Sequence, residues 1–215
     1  MPILYPGLLD EDDIRAIAAY LKMLIDGEND KLPTERRAAA GAYTQPTTTG
    51  AAPWRAVYSV LTHPRCLNCH TITNYPRQGD DRHPHIYGVV RGTDDLGAPL
   101  ARCSACHGAT NNASTGIPGR SEWHIAPLSM AWESAPGIAM TGDELCRMLK
   151  DRVRNGNRGF AELVEHVETE HLVIWAWDPG TRWNKEARKT PPISHEEFVK
   201  LFQDWASGGA GCPGQ

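Results

Sequence analysis

Cys66-Leu67-Asn68-Cys69-His70 and Cys103-Ser104-Ala105-Cys106-His107 constrain this chain more than any other feature. Each is a Cys-x-x-Cys-His run, the attachment signature of a c-type haem. The spacing follows from the chemistry. Two thiols three residues apart can each add to one vinyl group of the same porphyrin, and the next histidine can reach the iron as proximal ligand. Cys66, Cys69, Cys103 and Cys106 are therefore expected to hold two haems covalently, with His70 and His107 as proximal ligands. Both strings fall within 42 residues of a chain with six cysteines. A Cys₄ zinc site is the main alternative, but its pairs usually stand about 15–20 residues apart. Here 33 residues separate Cys69 from Cys103, and a histidine follows each pair. A thioredoxin-like redox centre needs a single pair in a βαβ setting, which the pattern lacks.

Such strings ask for a fold that wraps a cofactor. The 215 residues suffice for one ordinary domain or two small ones. Apolar residues make up 40 %, and 20 glycines and 16 prolines imply much loop. Side chains alone would give a thin core; covalent haem adds apolar surface, and part of the seven tryptophans is expected on porphyrin faces. The expectation is a mainly α fold with extensive irregular loops, its short helices packed around two covalently bound haems. Net charge is −4, and haem propionates would make it more negative. Lys and Arg are scattered without a basic stripe, which argues against nucleic acid. No apolar run approaches the length of a membrane span. Haem attachment of this type takes place outside the cytoplasm, so a periplasmic or extracytoplasmic location is expected. A secretory signal should then precede the chain; Met1-Pro2-Ile3-Leu4 has no basic n-region or apolar h-region, which implies a processed or truncated front.

Three segments are expected along the chain. Residues 1–27 carry an amphipathic helix over 10–25, with Asp10 as N-cap and Ile14, Ile17, Leu21 and Leu24 on one face. Residues 28–53, rich in Ala, Thr, Gly and Pro, read as a linker. Residues 54–215 form the dihaem domain: a helical approach over 54–62, turn-rich stretches after each string, and a helical last third. Capping boxes at Thr141–Glu144 and Ser194–Glu197 open two of its helices, and a third covers 159–168. The apolar stretch 172–177 is too short to separate helix from strand.

Cys146 and Cys212 remain as an even pair, far from both strings, in a protein expected in an oxidising compartment. They are expected to form a disulfide rather than stay as two thiols. The sixth ligand of each iron decides potential and access, and His or Met can supply it. His85 and His124 are the first candidates, followed by His83, Met130 and His63. His83 and His85 flank Pro84 in the loop between the strings, and His124 follows Trp123 in the loop after the second. Met130 is the rival to His124, with Met140 and Met148 behind it. His63 stands too near Cys66 to swing over its own haem but could serve the other. His166, His171 and His195 read as surface or packing residues, although His166 could face a haem.

The layout of the two strings with a histidine between them resembles the small dihaem subunit of periplasmic nitrate reductase, over about residues 60–110. In that family the intervening histidine is a distal ligand, and His83 or His85 holds the comparable place. A longer likeness, over about 55–213, is to bacterial cytochrome subunits associated with isoquinoline 1-oxidoreductase. It rests on His63-Pro64-Arg65 before the first string, Gly79-Asp80-Asp81 with His83 and His85, Trp123-His124 with Ala126-Pro127, Met130-Ala131-Trp132 and Lys150-Asp151. It implies electron exchange with another oxidoreductase. Residues 1–25, with Met1-Pro2 ahead of an amphipathic helix, resemble the C-terminal end of a class I cytochrome c. That implies a further haem domain upstream.

Together these readings give an electron-transfer protein that relays electrons to or from a partner oxidoreductase or a respiratory chain. The alternative is a dihaem enzyme of peroxidase type, which needs one five-coordinate iron.

Overall fold

The computed structural model describes residues 51–214. The expected N-terminal helix and all but the last three residues of the expected linker lie outside them. Helix α1 spans Ala51–Leu61 and the single turn α2 spans Pro64–Leu67. Four two-stranded antiparallel hairpins follow. They pair β1 (Arg77–Gln78) with β2 (His83–Pro84), and β3 (Gly97–Ala98) with β4 (Ala101–Arg102). They also pair β5 (Thr110–Asn112) with β6 (Ile117–Arg120), and β7 (Glu133–Ala135) with β8 (Ile138–Ala139). The last third carries α3 (Gly142–Lys150), α4 (Phe160–Thr169), α5 (His171–Trp175) and α6 (His195–Ser207).

The expectation of a mainly α fold is overturned. Among the described residues six short helices account for 36 % and strands for 14 %, so the fold is not predominantly helical. The reason lies in the turn-rich stretches, read from sequence as irregular loops. Gly116 (φ 72°) and Gly137 (φ 86°) take left-handed conformations that close β5–β6 and β7–β8. Ladders of two to four residues are too short to show a period-2 pattern.

The helical expectations hold better. Thr141 accepts a bond from the Glu144 N–H while the Glu144 carboxylate accepts from the Thr141 N–H, a complete capping box that opens α3. Ser194 caps α6 through the Glu197 N–H (3.2 Å). The ambiguous 172–177 stretch resolves into the short helix α5.

One core holds α1 to the last third. Trp54, Val57, Val60 and Leu61 of α1 pack with Leu145, Met148, Leu163, Phe198, Phe202 and Trp205. Trp54 donates from Nε1 to Gly142 O (3.0 Å), and Tyr58 from its hydroxyl to Met140 O (2.8 Å), which satisfies their polar ends on burial. The expected Cys146–Cys212 disulfide is present, with Cα atoms 5.6 Å apart, and joins α3 to the tail after α6. A disulfide is compatible with an oxidising, extracytoplasmic compartment. Among the described residues no helix is long and apolar enough to cross a membrane.

Candidate functional site

The two Cys-x-x-Cys-His strings wind the same way on different supports. In the first, the His70 N–H donates to Cys66 O (3.0 Å); in the second, the His107 N–H donates to Cys103 O (2.9 Å). One helical turn therefore brings both cysteines of a string and its histidine together. The first string continues α2, whose start is capped by His63: its Nδ1 accepts from the Arg65 N–H (3.2 Å), with Pro64 at the first helical position. The second is a 3₁₀ turn, Cys103–Ala105, between hairpins β3–β4 and β5–β6, with no side-chain cap.

Each string histidine is held in the same manner. His70 donates from Nδ1 to Met130 O (2.8 Å), and its ring stacks on Trp132, centroids 3.5 Å apart and planes 8° from parallel. His107 donates from Nδ1 to Pro118 O (2.7 Å) and stacks on Trp123 at 4.4 Å and 2°. A bond from Nδ1–H to a backbone carbonyl fixes the tautomer that leaves Nε2 with its lone pair, as metal-ligating histidines require. Two further histidines share this arrangement: His85 donates from Nδ1 to Ile86 O (2.7 Å) and His124 to Glu122 O (2.7 Å).

His85 also lies beside His107, ring centroids 6.0 Å apart and planes inclined by 68°, which brings a second imidazole anchored at Nδ1 next to the string histidine.

Around His70 the assembly is more buried. Arg91 donates to Ala126 O, to Thr71 O (3.0 Å) and to Thr73 O (3.4 Å), which ties the segment carrying His124 to the residues after His70. The buried carboxylate of Glu133 fixes the other side. It accepts from the Thr71 hydroxyl (2.6 Å), the Ile72 N–H (2.9 Å) and the Gly137 N–H (3.1 Å), and pairs with Arg77 and Arg82. The Trp132 N–H donates to His70 O (2.9 Å), while its indole Nε1 is buried without a partner. An orphaned donor on the ring that backs His70 fits a site completed by a further group.

The electrostatics keep these groups neutral. Burial pushes the His70 pKa down to about 3, against the Met130 carbonyl and with the charges of His166, His124 and Arg91. Burial likewise lowers His107, with His85 and Arg188 adding to the effect. Burial raises Cys66 to about 12 and Cys69 to about 11, and Cys103 adds to the rise at Cys69. Neutral imidazole is the form that binds a metal.

The remaining candidates are otherwise engaged. His83 uses both ring nitrogens in its own hairpin, Nδ1 with Asp81 (2.7 Å) and Nε2 with Gln78 (3.0 Å). Met130 is buried in the core with its sulfur 3.8 Å from Arg158, and serves His70 through its carbonyl. His63 is the cap of α2. His166 is half-buried, and burial lowers its pKa, followed by Arg158.

Among the described residues no three His, Cys, Asp or Glu side chains gather as a set that could hold a metal ion. The two cysteine pairs thus do not converge on a tetrahedral zinc site, whereas a porphyrin provides four ligands itself and asks only axial ones of the chain. Sequence reasoning missed the carbonyls of Met130 and Pro118, the Arg91 clamp and the Glu133 network. Trp123 and Trp132 stood beside named candidates, and their sequence proximity to His124 and Met130 was the available signal. No family model, curated protein or solved structure matches the chain.

Proposed function

We propose that the protein is an electron carrier holding two c-type haems, Cys66 and Cys69 anchoring one and Cys103 and Cys106 the other. The observation that carries this reading is the repeated unit: a Cys-x-x-Cys-His turn, an Nδ1 tied to a backbone carbonyl, and a tryptophan stacked on the imidazole. When bound, haem supplies one-electron chemistry at its iron. The chain's residues do the rest. His70 and His107 offer Nε2 as proximal ligands, and Trp132 and Trp123 fix the planes of those rings. His85, beside His107, would offer a second imidazole, and His124 is the corresponding candidate for the first site. Two imidazoles on one iron favour a low potential and leave no open position for substrate. The likeness over 55–213 suggests that electrons pass to or from a partner oxidoreductase.

The test is expression with a c-type haem maturation system. Two haems per chain by mass and pyridine haemochrome are expected, low-spin when oxidised and slow to bind cyanide or azide. A high-spin haem that binds them rapidly would favour the dihaem peroxidase instead. His85→Met and His124→Met should each raise one midpoint potential; if neither change moves a potential or the spectrum, the distal assignments are wrong.

A further inference from the structure

The loop 178–189 presents a feature that electron storage does not require. Trp183 stands 78 % exposed at its tip, whereas the other six tryptophans are buried or half-buried. The same loop carries Arg182, Lys185, Arg188 and Lys189 against Asp178 and Glu186, so it is cationic in a chain of net charge −4; Arg182 is paired with Asp80 and Glu186, and Lys185 donates to Ala113 O.

The loop is rigidly built. Thr181 and Ala187 bridge across it, the Arg182 N–H donates to Glu186 O (2.8 Å), and the Lys185 N–H donates to Arg182 O (2.9 Å). Arg188 donates to Pro179 O (3.0 Å), Thr181 O and Gly116 O, and Asn111 donates to Asp178 O (2.9 Å). A Cβ on Gly116 would come within 2.2 Å of the Trp183 nitrogen, so the tip is seated directly on the β5–β6 turn. The loop is fastened to both haem strings' surroundings. Arg65, beside Cys66, donates from Nε to Lys189 O (3.1 Å), and Asp80 pairs with both Arg65 and Arg182. On the other side it rests on the segment that follows His107.

We propose that this loop is the docking surface for an acidic redox partner protein, with Trp183 as its anchor; the proposal rests on the electron-carrier reading. Trp and Arg carry most of the binding energy in protein interfaces. A preformed loop binds without paying to order itself. Charge also favours this orientation: a partner with an acidic face is repelled by the chain's net negative charge and attracted at this cationic loop, close to both strings.

The test measures electron transfer by stopped flow with two probes: from a reduced acidic plant-type ferredoxin to the oxidised haem-loaded full chain, and from the reduced full chain to a basic mono-haem cytochrome c. Transfer with the acidic probe is expected to slow as salt rises. Trp183→Ala should slow it about tenfold, Trp183→Phe less, and Lys185→Glu with Lys189→Glu should reverse its salt dependence. Reduction by a small free flavin should be unchanged in all variants. A rate with the ferredoxin that rises with salt, or a Trp183→Ala variant equal to wild type, would overturn the proposal. So would a wild-type dimer in sedimentation that Trp183→Ala abolishes, which makes the surface a self-interface. Protection of Trp183 from oxidation by N-bromosuccinimide in the free monomer would assign it to another segment of this chain. A colourless wild type sinks the electron-carrier reading and this inference together; a haem-loaded protein reduced normally by flavin but indifferent to salt and to Trp183 sinks this inference alone.

Discussion

The same five-residue turn is supported by two unlike environments. The first string extends a capped helical turn next to the helical core, and its histidine is flanked by buried charge: Arg91 on one side, Glu133 with Arg77 and Arg82 on the other. The second sits between two short hairpins, Cys106 is exposed, and its histidine leans on Trp123 and a single carbonyl. Identical local chemistry thus needs no common tertiary support. What both sites share is the minimum that orients an imidazole: one acceptor at Nδ1 and one flat surface behind the ring.

The largest test of this contrast removes the covalent tie of the core. Cys146→Ser with Cys212→Ser opens a loop of 66-residue separation, for which the chain-entropy model gives about 4 kcal/mol. Denaturant melting followed by far-UV circular dichroism should show that loss.

Glu133→Gln comes next, with about 2–3 kcal/mol expected from the loss of charge-assisted hydrogen bonds to a buried carboxylate. Its effect should be confined to the His70 side, visible as weakened hydrogen-exchange protection at Thr71–Thr73 but not at 107–120.

Gly119→Ala probes the other region. Its Cβ would meet Thr110 O at 2.2 Å, and overpacking of this kind costs roughly 1–3 kcal/mol. The β5–β6 hairpin should open locally while the helical melt stays put. If the melt instead falls as far as in the disulfide variant, the two regions unfold as one unit and the contrast breaks.

Thr141→Ala should cost about 1 kcal/mol by removing the cap of α3, measured as a small drop in the core transition alone.

The last test is one of pH. Burial, Arg65 and Lys189 lower the His63 pKa from 6.5 to about 4. The unfolded chain therefore binds an extra proton between those values, and stability falls as pH drops from 6.5 towards 4. His63→Asn keeps a capping acceptor without a titrating ring, so it should reduce that slope in a series of melts across the window and leave the part owed to His70, His107 and His166.

Legibility from sequence follows the range of the interaction. The α3 capping box and the two string turns are contacts between residues three or four apart, and local pattern is enough to see them. The hairpins were misread because two-residue ladders leave no alternation, and their closing glycines look like any loop glycine. At the candidate site the order of residues offers His83, His85 and His124 as loop histidines, but nothing in it separates His85 from His83. The difference is one of hydrogen bonding: His83 spends both ring nitrogens in its hairpin, and His85 spends one.

The sequence alone determined the two Cys-x-x-Cys-His turns and the even cysteine pair left over, because each depends on spacing along the chain. Tertiary structure decided which residues face the string histidines, that Met130 acts through its carbonyl and not its sulfur, and that one tryptophan is left outside. Those outcomes depend on backbone carbonyls and buried charges from distant segments, 60 residues away for His70 and Met130, and carbonyls carry no side-chain signature to read.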